Sequence, residues 1–297
     1  MPSIAGLDIR DASALALVVD EQGVVRARAE EAGADLEAVA VRAVERLIAE
    51  SRGVTALGIA TPNLEAPAAA RAIEAIAARF PKLVQRRAVI GSGTAAALAE
   101  SWVGAAPGAS DLVYFAVAEH ATAGIIRAGQ PVTGAHGRAP AVAWLSLNPV
   151  EREDYRRAGC LDAEVAGVGI VRRLIWRIKA GDRSNVQNLV KGDLTAITVD
   201  LILGAARDRD GVSISVIRDT AKYLGMAAAN LVAIADPEVL VVGGIMASAA
   251  DLLLEPLRTE LTRRLPAPMA AALTVSTASI GPDAVALGAA RRARSAA

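Results

Sequence analysis

The chain has 297 residues, 53% of them hydrophobic and only 3% aromatic, with 32 basic side chains matched by 32 acidic ones. That is enough apolar chain to bury two cores or one large α/β unit, and a zero net charge gives no overall pull towards nucleic acid, membrane surfaces or acidic partners. Mean hydropathy is high at +0.37, yet no stretch supplies the roughly 18 uninterrupted apolar residues of a membrane span.

The opening residues, MPSIAGLDIRDAS, read as the start of a strand rather than a leader. The single cysteine, Cys160, excludes an internal disulfide, so a cytoplasmic location is expected. Residues 4–9, 14–19 and 23–27 are short strand-like runs, and Asp20-Glu-Gln-Gly23 is a hairpin signal. Residues 35–51 carry Leu36, Val39, Ala40, Ala43, Val44, Leu47 and Ile48 at helical spacing. Residues 54–60 form a buried-strand run that ends at Thr61-Pro62-Asn63, and 67–78 a helix with proline in its first turn. A strand at 87–90 leads through small residues into an Ala-rich helix at 94–103.

Pro107-Gly-Ala-Ser110 reads as a linker, followed by strands at 112–118, 124–127 and 142–147. Helical spacing then governs 174–179, 195–208 and 212–235. A short strand at 238–242 closes on Gly243-Gly244, and a helix at 249–264, a strand at 274–278 and a helix at 284–290 complete the pattern. Each half therefore begins with strands and then alternates strand and helix. That is the layout of a duplicated α/β fold, two domains around a cleft: residues 1–108, residues 109–283, and a terminal helix 284–297 packing back on the first. The chain leaves no room before Ile4 for a DNA-reading helix-turn-helix, so no nucleic-acid partner is expected.

The stretch 89–104, VIGSGTAAALAESWVG, carries the most chemistry. It resembles the strand–turn–helix of the ROK family (bacterial glucokinases, other sugar kinases and related repressors), which runs approximately N-D-x-N-A-A-A-L-x-E. In that family the Asp takes the proton from the attacking sugar hydroxyl. Aligned on Ala95–Leu98 and Glu100, the Asp position holds Ser92 and the Asn before it Gly91. The resemblance implies the actin-like ATPase (ribonuclease H-like) fold, and it runs in order from Ile4 to Ala290.

Departures from the family pattern gather at its working parts. The first phosphate loop resembles D-I-G-G-T-K: Asp8 matches, but the two glycines are Arg10 and Asp11. A Cβ there blocks the approach of a phosphate, and Asp11 repels it. The second loop, VAEHATAGII at 117–126, keeps Gly124 and both isoleucines of L-G-T-G-I-G-G-G-I-I, while Glu119 adds negative charge. His120 lacks a paired carboxylate pattern and reads as a loop histidine, not a general base. Where the family has G-x-x-G-x-x-G-E-I-G-H, its sugar-binding Glu falls on Ala141 and its His on Trp144. Trp144 reads as a core residue, with stacking on a ligand as its functional alternative, and His136 as a loop residue.

Gly159-Cys160-Leu161-Asp162 resembles the G-C-L-E that closes the family's zinc segment, but the earlier cysteine positions hold Glu153 and Tyr155. One thiolate falls short of four N/S ligands, so no zinc or other metal is expected and Cys160 reads as a small packed residue. Asp162, a shortened Glu, is placed to orient a ligand hydroxyl or to serve as a helix N-terminal acid. From Ala228 to Ile245 the chain resembles the family's helix, N-P-E turn, strand and glycine run, which lies beside adenosine in the kinases, and 281–290 resembles the final helix.

The resemblance puts Asp8, Gly124, Gly243 and Gly244 on a nucleotide side and Asn63, Ser92, Trp144 and Asp162 on a substrate side. It implies a homodimer, and the helices around 168–178 are apolar enough to contribute to its interface. The clustered departures point to a catalytically silent binding or regulatory module with a sugar or nucleotide ligand. The alternatives are an atypical ATP–Mg-dependent hexose or amino-sugar kinase that uses Asp8, Asp162 or Glu119, and an assembly subunit that binds no small molecule.

Overall fold

A computed structural model of the chain describes residues 3–51 and 53–296, without side-chain placement at 85–87 and 296. The ends of the expected division, residues 1–2 and 297, lie outside the described residues. The first sheet holds β1 (Ser3–Ile9), β2 (Ser13–Val19), β3 (Val25–Ala32), β4 (Val54–Thr61) and β5 (Val84–Gly91). The second holds β6 (Leu112–Val117), β7 (Ala121–Arg127), β8 (Gln130–Pro131), β9 (Val239–Gly244) and β10 (Thr274–Thr277). Their orders, β3-β2-β1-β4-β5 and β8-β7-β6-β9-β10, are the same. In each, an antiparallel meander is followed by two parallel crossover strands. The duplication lies in the topology itself.

Local chemistry accounts for the elements. Asp20 turns β2 into β3 by accepting the N–H groups of Gln22 and Val24 at 2.9 Å each, with Gly23 at φ +81°. Helix α1 (Leu36–Glu50) starts where Asp35 accepts the Ala38 N–H, and it buries the apolar face expected from its spacing. Helix α2 (Pro67–Arg79) begins on its proline. β3 starts later than expected and runs further, because an edge strand with Arg26, Arg28 and Glu30 facing solvent carries little hydropathy signal.

Helix α3 (Ser92–Val103) is buried from Ser92 through Glu100 and packs against β7 of the second sheet. In the second half, α4 (Glu153–Ala158), α5 (Cys160–Val165), α6 (Gly167–Lys179), α7 (Asn185–Leu189) and α8 (Val199–Arg207) lead into the long α9 (Gly211–Ala235). Beyond β9 come α10 (Ile245–Ser248), α11 (Ala250–Arg264), α12 (Ala267–Ala272) and, after β10, α13 (Ala284–Ala296). The second core forms around α9, which packs on α11, α8, α6 and β6. The terminal α13 returns to the first sheet and lies on α3, β1 and β4. It lies so close that a Cβ on Gly288 would sit 1.7 Å from the Ala95 carbonyl oxygen, and one on Gly6 1.8 Å from that of Ala286.

One expected element is absent. Residues 142–147 do not form a strand; Val142–Trp144 is a single 3-10 turn. A short apolar run does not distinguish strand from helical turn by pattern; here only Val142 of that turn is buried in the core. Among the described residues no helix is long and apolar enough to cross a membrane.

Candidate functional site

A cavity of about 390 Å³ opens between the halves. One wall comes from the loop after β4 and the start of α3, the other from the β6–β7 turn, the segment 137–144 and the α4–α5 region. The fold brings Asn63, Ser92, Trp144 and Asp162 to this one cavity. Asp8, Gly124, Gly243 and Gly244 do not line it.

Trp144 corrects an expectation. It is 58% exposed at the rim of the cavity, not buried in a core. Its 3-10 turn sits on the cleft surface, so the ring faces the opening rather than a sheet. Asn63 is exposed, and its Oδ1 accepts the Glu65 N–H at 3.0 Å. Ser92 opens α3 directly after Gly91, and no side chain caps the helix. The serine is only 6% exposed, and its Oγ has no hydrogen-bond partner among the described residues.

His120 corrects a second expectation: it has two carboxylate partners. Its Nδ1 lies 3.3 Å from Asp162 Oδ2, and its Nε2 lies 3.1 and 3.2 Å from the Asp11 oxygens. Asp162 is buried and fixed, its Oδ1 accepting the Ala121 N–H at 2.5 Å. The hydrogen bond to Asp162, reinforced by the charges of Asp162 and Asp11 against the opposing effect of burial, pushes the imidazole up to about 9. Near neutral pH the ring is therefore a cation donating from both nitrogens, with no lone pair for a base. Residues 11, 120 and 162 are too far apart in the chain for any spacing to signal this bridge.

The bridge carries a pH signature. A folded-state value raised above 6.5 means its stabilisation is complete below about pH 6.5 and is lost as pH rises through 9. His120→Gln is expected to lower the melting temperature at pH 6.5 and to converge on the parent protein above about pH 9. Parallel thermal melts across that range check it; a constant offset would contradict the assignment.

The first loop is also filled by its own side chains. Asp8 is buried at the end of β1 with Arg10 Nε 2.7 Å away. Burial holds the Asp8 carboxyl above its ordinary range, with Arg10 pulling the other way. Arg10 also donates to the Pro282 carbonyl at 3.0 Å, which spans the loop. Gly124 packs against α3, where a Cβ would meet the Gly93 oxygen at 2.3 Å, and Gly243 packs under Tyr114. Gly244 has φ +61° and no space beside Val117. Close packing alone requires glycine at these three positions.

The segment expected to resemble a zinc site is held by other means. Glu153 is exposed and paired with Arg157, while Tyr155, Cys160 and Ala163 pack with Leu147. The Tyr155 hydroxyl donates to buried Glu164, which also takes Arg173 at 2.6 Å and Arg152 at 3.3 Å. This donor set does not fit tetrahedral zinc. Glu164→Ala removes the buried carboxylate from Arg173, which keeps its bonds to Thr220 Oγ1 and to the backbone carbonyl at position 164, and is expected to cost about 3 kcal/mol, measured by denaturant unfolding; a loss below about 1 kcal/mol would show that the network is only surface decoration. A further pair, Arg138 with Glu65, joins the two halves across the cavity mouth; neither residue stood out in the sequence.

The ROK family model matches residues 5–296. The chain belongs to the ROK family. It is 29% identical over 165 residues to a glucokinase of Halalkalibacterium halodurans, a match covering 55% of this chain and 50% of that protein. It is 31% identical over 176 residues to a xylose repressor of Caldicellulosiruptor bescii, covering 57% of this chain and 42% of the repressor. The chain thus spans half or less of the length of these curated relatives. Among solved structures, a ROK family glucokinase of Streptomyces griseus in complex with glucose and AMPPNP superposes with a TM-score of 0.80 at 25% identity, covering 99% of both chains. ROK kinases and ROK repressors are thus both relatives, and the two-domain actin-like ATPase fold follows from the structural match.

Proposed function

We propose that this ROK protein is a binding or regulatory module that takes a small polyhydroxylated molecule in its cleft and does not transfer phosphate. The observation that carries this reading is the pair of side-chain bridges in the phosphate region. Arg10 spans the first loop to Asp8 and Pro282, and Asp11 ties that loop to His120 of the second. Phosphoryl transfer depends on positioning and charge stabilisation of the transferred group, and these residues do not fit a backbone phosphate cradle. At the family's base position Ser92 accepts no proton without a base of its own, and general-base catalysis contributes about 10²–10⁴-fold. The protonated His120 does not replace it.

Repressors stand beside kinases among the relatives, so a non-catalytic role has precedent in the family. The open cavity, with Asn63, Ser92, His120 and Asp162 among its lining residues, supports ligand binding over a purely architectural subunit, since Trp144 leaves it unfilled. The proposal includes division at 108/109, with the terminal helix returning to the first domain, a cytoplasmic location, and a homodimer. Val168 and Trp176, both exposed on α6, support the dimer. Calorimetric titration with a hexose panel and ATP–Mg, together with a coupled kinase assay, tests the reading. Sugar binding without turnover is expected; ATP-dependent sugar phosphorylation would overturn it in favour of the atypical kinase. Light scattering tests the dimer, which a monomer mass would exclude.

A further inference from the structure

We infer that the cleft ligand is a neutral glycoside with an apolar aromatic aglycone, its sugar against Asn63 and Ser92 and its aglycone stacked on Trp144. The inference rests on the binding reading above and specifies the ligand class of that site.

The two walls of the cavity differ in chemistry. On the first, Ser92 Oγ is buried with no partner among the described residues. Asn63 uses its Oδ1 on the Glu65 N–H, which leaves its amide N–H₂ group for a ligand. The second wall includes the run Ala139-Pro-Ala-Val-Ala-Trp144, with Ala158 beside it. No side chain in that run carries a polar atom except the Trp144 indole N–H. Position 141, where the family's sugar-binding Glu falls, is an exposed alanine. A free hexose carries hydroxyls around its whole ring. Those turned towards the alanines meet no side-chain partner, and a polar group covered without one is unfavourable. An apolar ring on that side incurs no such penalty.

Trp144 supplies the independent observation. The other two tryptophans are covered by guanidinium groups, Trp102 by Arg291 and Trp176 by Arg152 and Arg172. Trp144 has no such cover among the described residues and is 58% exposed at the cavity rim. Its turn is firmly held. Val142 is buried in the core, and Gly159 packs so closely that a Cβ there would meet the Ala143 carbonyl oxygen at 2.2 Å. A fixed, uncovered indole beside a cavity offers a stacking face for a planar ring. The volume of about 390 Å³ falls within the roughly 300–1,000 Å³ of small-molecule sites, where apolar walls supply area and a few polar groups fix orientation. A nucleoside has the same two-sided form, but the polar edges of its base would go unpaired on this wall.

The test is calorimetric titration of the full chain with glucose, galactose, mannose and N-acetylglucosamine, their methyl and phenyl glycosides in both anomers, and adenosine. For the preferred sugar, the phenyl glycoside is expected to bind at least about tenfold more tightly than the methyl glycoside or the free sugar. Trp144→Ala is expected to erase that preference and leave methyl glycoside binding within about threefold of the parent, while Trp144→Phe retains it. Ala141→Glu is expected to raise affinity for the free sugar relative to the phenyl glycoside. Circular dichroism confirms that each variant is folded. Equal binding of free, methyl and phenyl forms, a preference that survives Trp144→Ala, or adenosine binding as tightly as the phenyl glycoside would each overturn the aglycone inference and leave the binding module standing. No binding by any probe would overturn both, and phosphorylation of the free sugar would overturn the non-catalytic reading alone.

Discussion

Glu100→Ala is expected to destabilise the protein by more than about 3 kcal/mol. Glu100 is wholly buried in the last turns of α3. Its carboxylate accepts the Ala105 N–H at 2.6 Å, the Ser279 N–H at 3.1 Å and hydroxyl at 3.3 Å, and the Ile280 N–H at 3.2 Å. It therefore closes the end of α3 and ties it to the segment between β10 and α13. Alanine removes the acceptor from every one of these donors, and a hydrogen bond to a charged group contributes about 1.5–3 kcal/mol. Glu100→Gln keeps one acceptor oxygen but turns an amide N–H₂ towards donors, so an intermediate loss is expected. Urea unfolding of both variants measures it; an alanine variant within about 1 kcal/mol of the parent would mean that this buried carboxylate is dispensable.

Gly288→Ala carries the second large effect. The obstacle to its Cβ is the Ala95 backbone carbonyl in α3, not the tip of a flexible side chain. Overpacking of a core typically costs 1–3 kcal/mol; a clash with backbone at 1.7 Å places this substitution at about 3 kcal/mol or above. Either α13 lifts from α3 and β1 or the first half unfolds. Gly204→Ala is the control. Gly204 lies within α8 with open space beside it, so alanine there is expected to be neutral or to stabilise by up to about 1 kcal/mol. Thermal melts of the two variants, run together, separate packing from helix propensity.

These two residues show how unevenly the molecule is legible in its sequence. Glu100 helps anchor the likeness of residues 89–104 to the sugar-kinase loop, yet its partners Ser279 and Ile280 lie about 180 residues away, and no local pattern announces them. Helix periodicity is read correctly in α1, where one face is buried, while α6 begins seven residues before the expected 174. The pattern weakens at the edge strand β3, where charge faces solvent, and at 142–147, where a short apolar run curls over the cleft.

The site is legible by position and opaque in its contacts. Asn63, Ser92, Trp144 and Asp162 meet at one cavity because a shared order of motifs implies a shared fold. The linkage of Asp11, His120 and Asp162 is invisible because it joins a turn of the first sheet, a turn of the second and α5. Trp144 is misplaced by composition alone: a large aromatic is assigned to a core by default, while a cleft rim also accommodates one.

The central claim is that the cleft binds without transferring phosphate, and that Ser92 is one part of a site altered in several places. A coupled assay of ATP-dependent phosphorylation over a hexose panel, with the parent protein and Ser92→Asp side by side, tests it most directly. The expected result is no turnover above background for either, because a carboxylate at position 92 leaves the Arg10 and Asp11–His120 bridges across the phosphate region. Robust turnover by the parent, or its appearance on Ser92→Asp alone, would contradict the account.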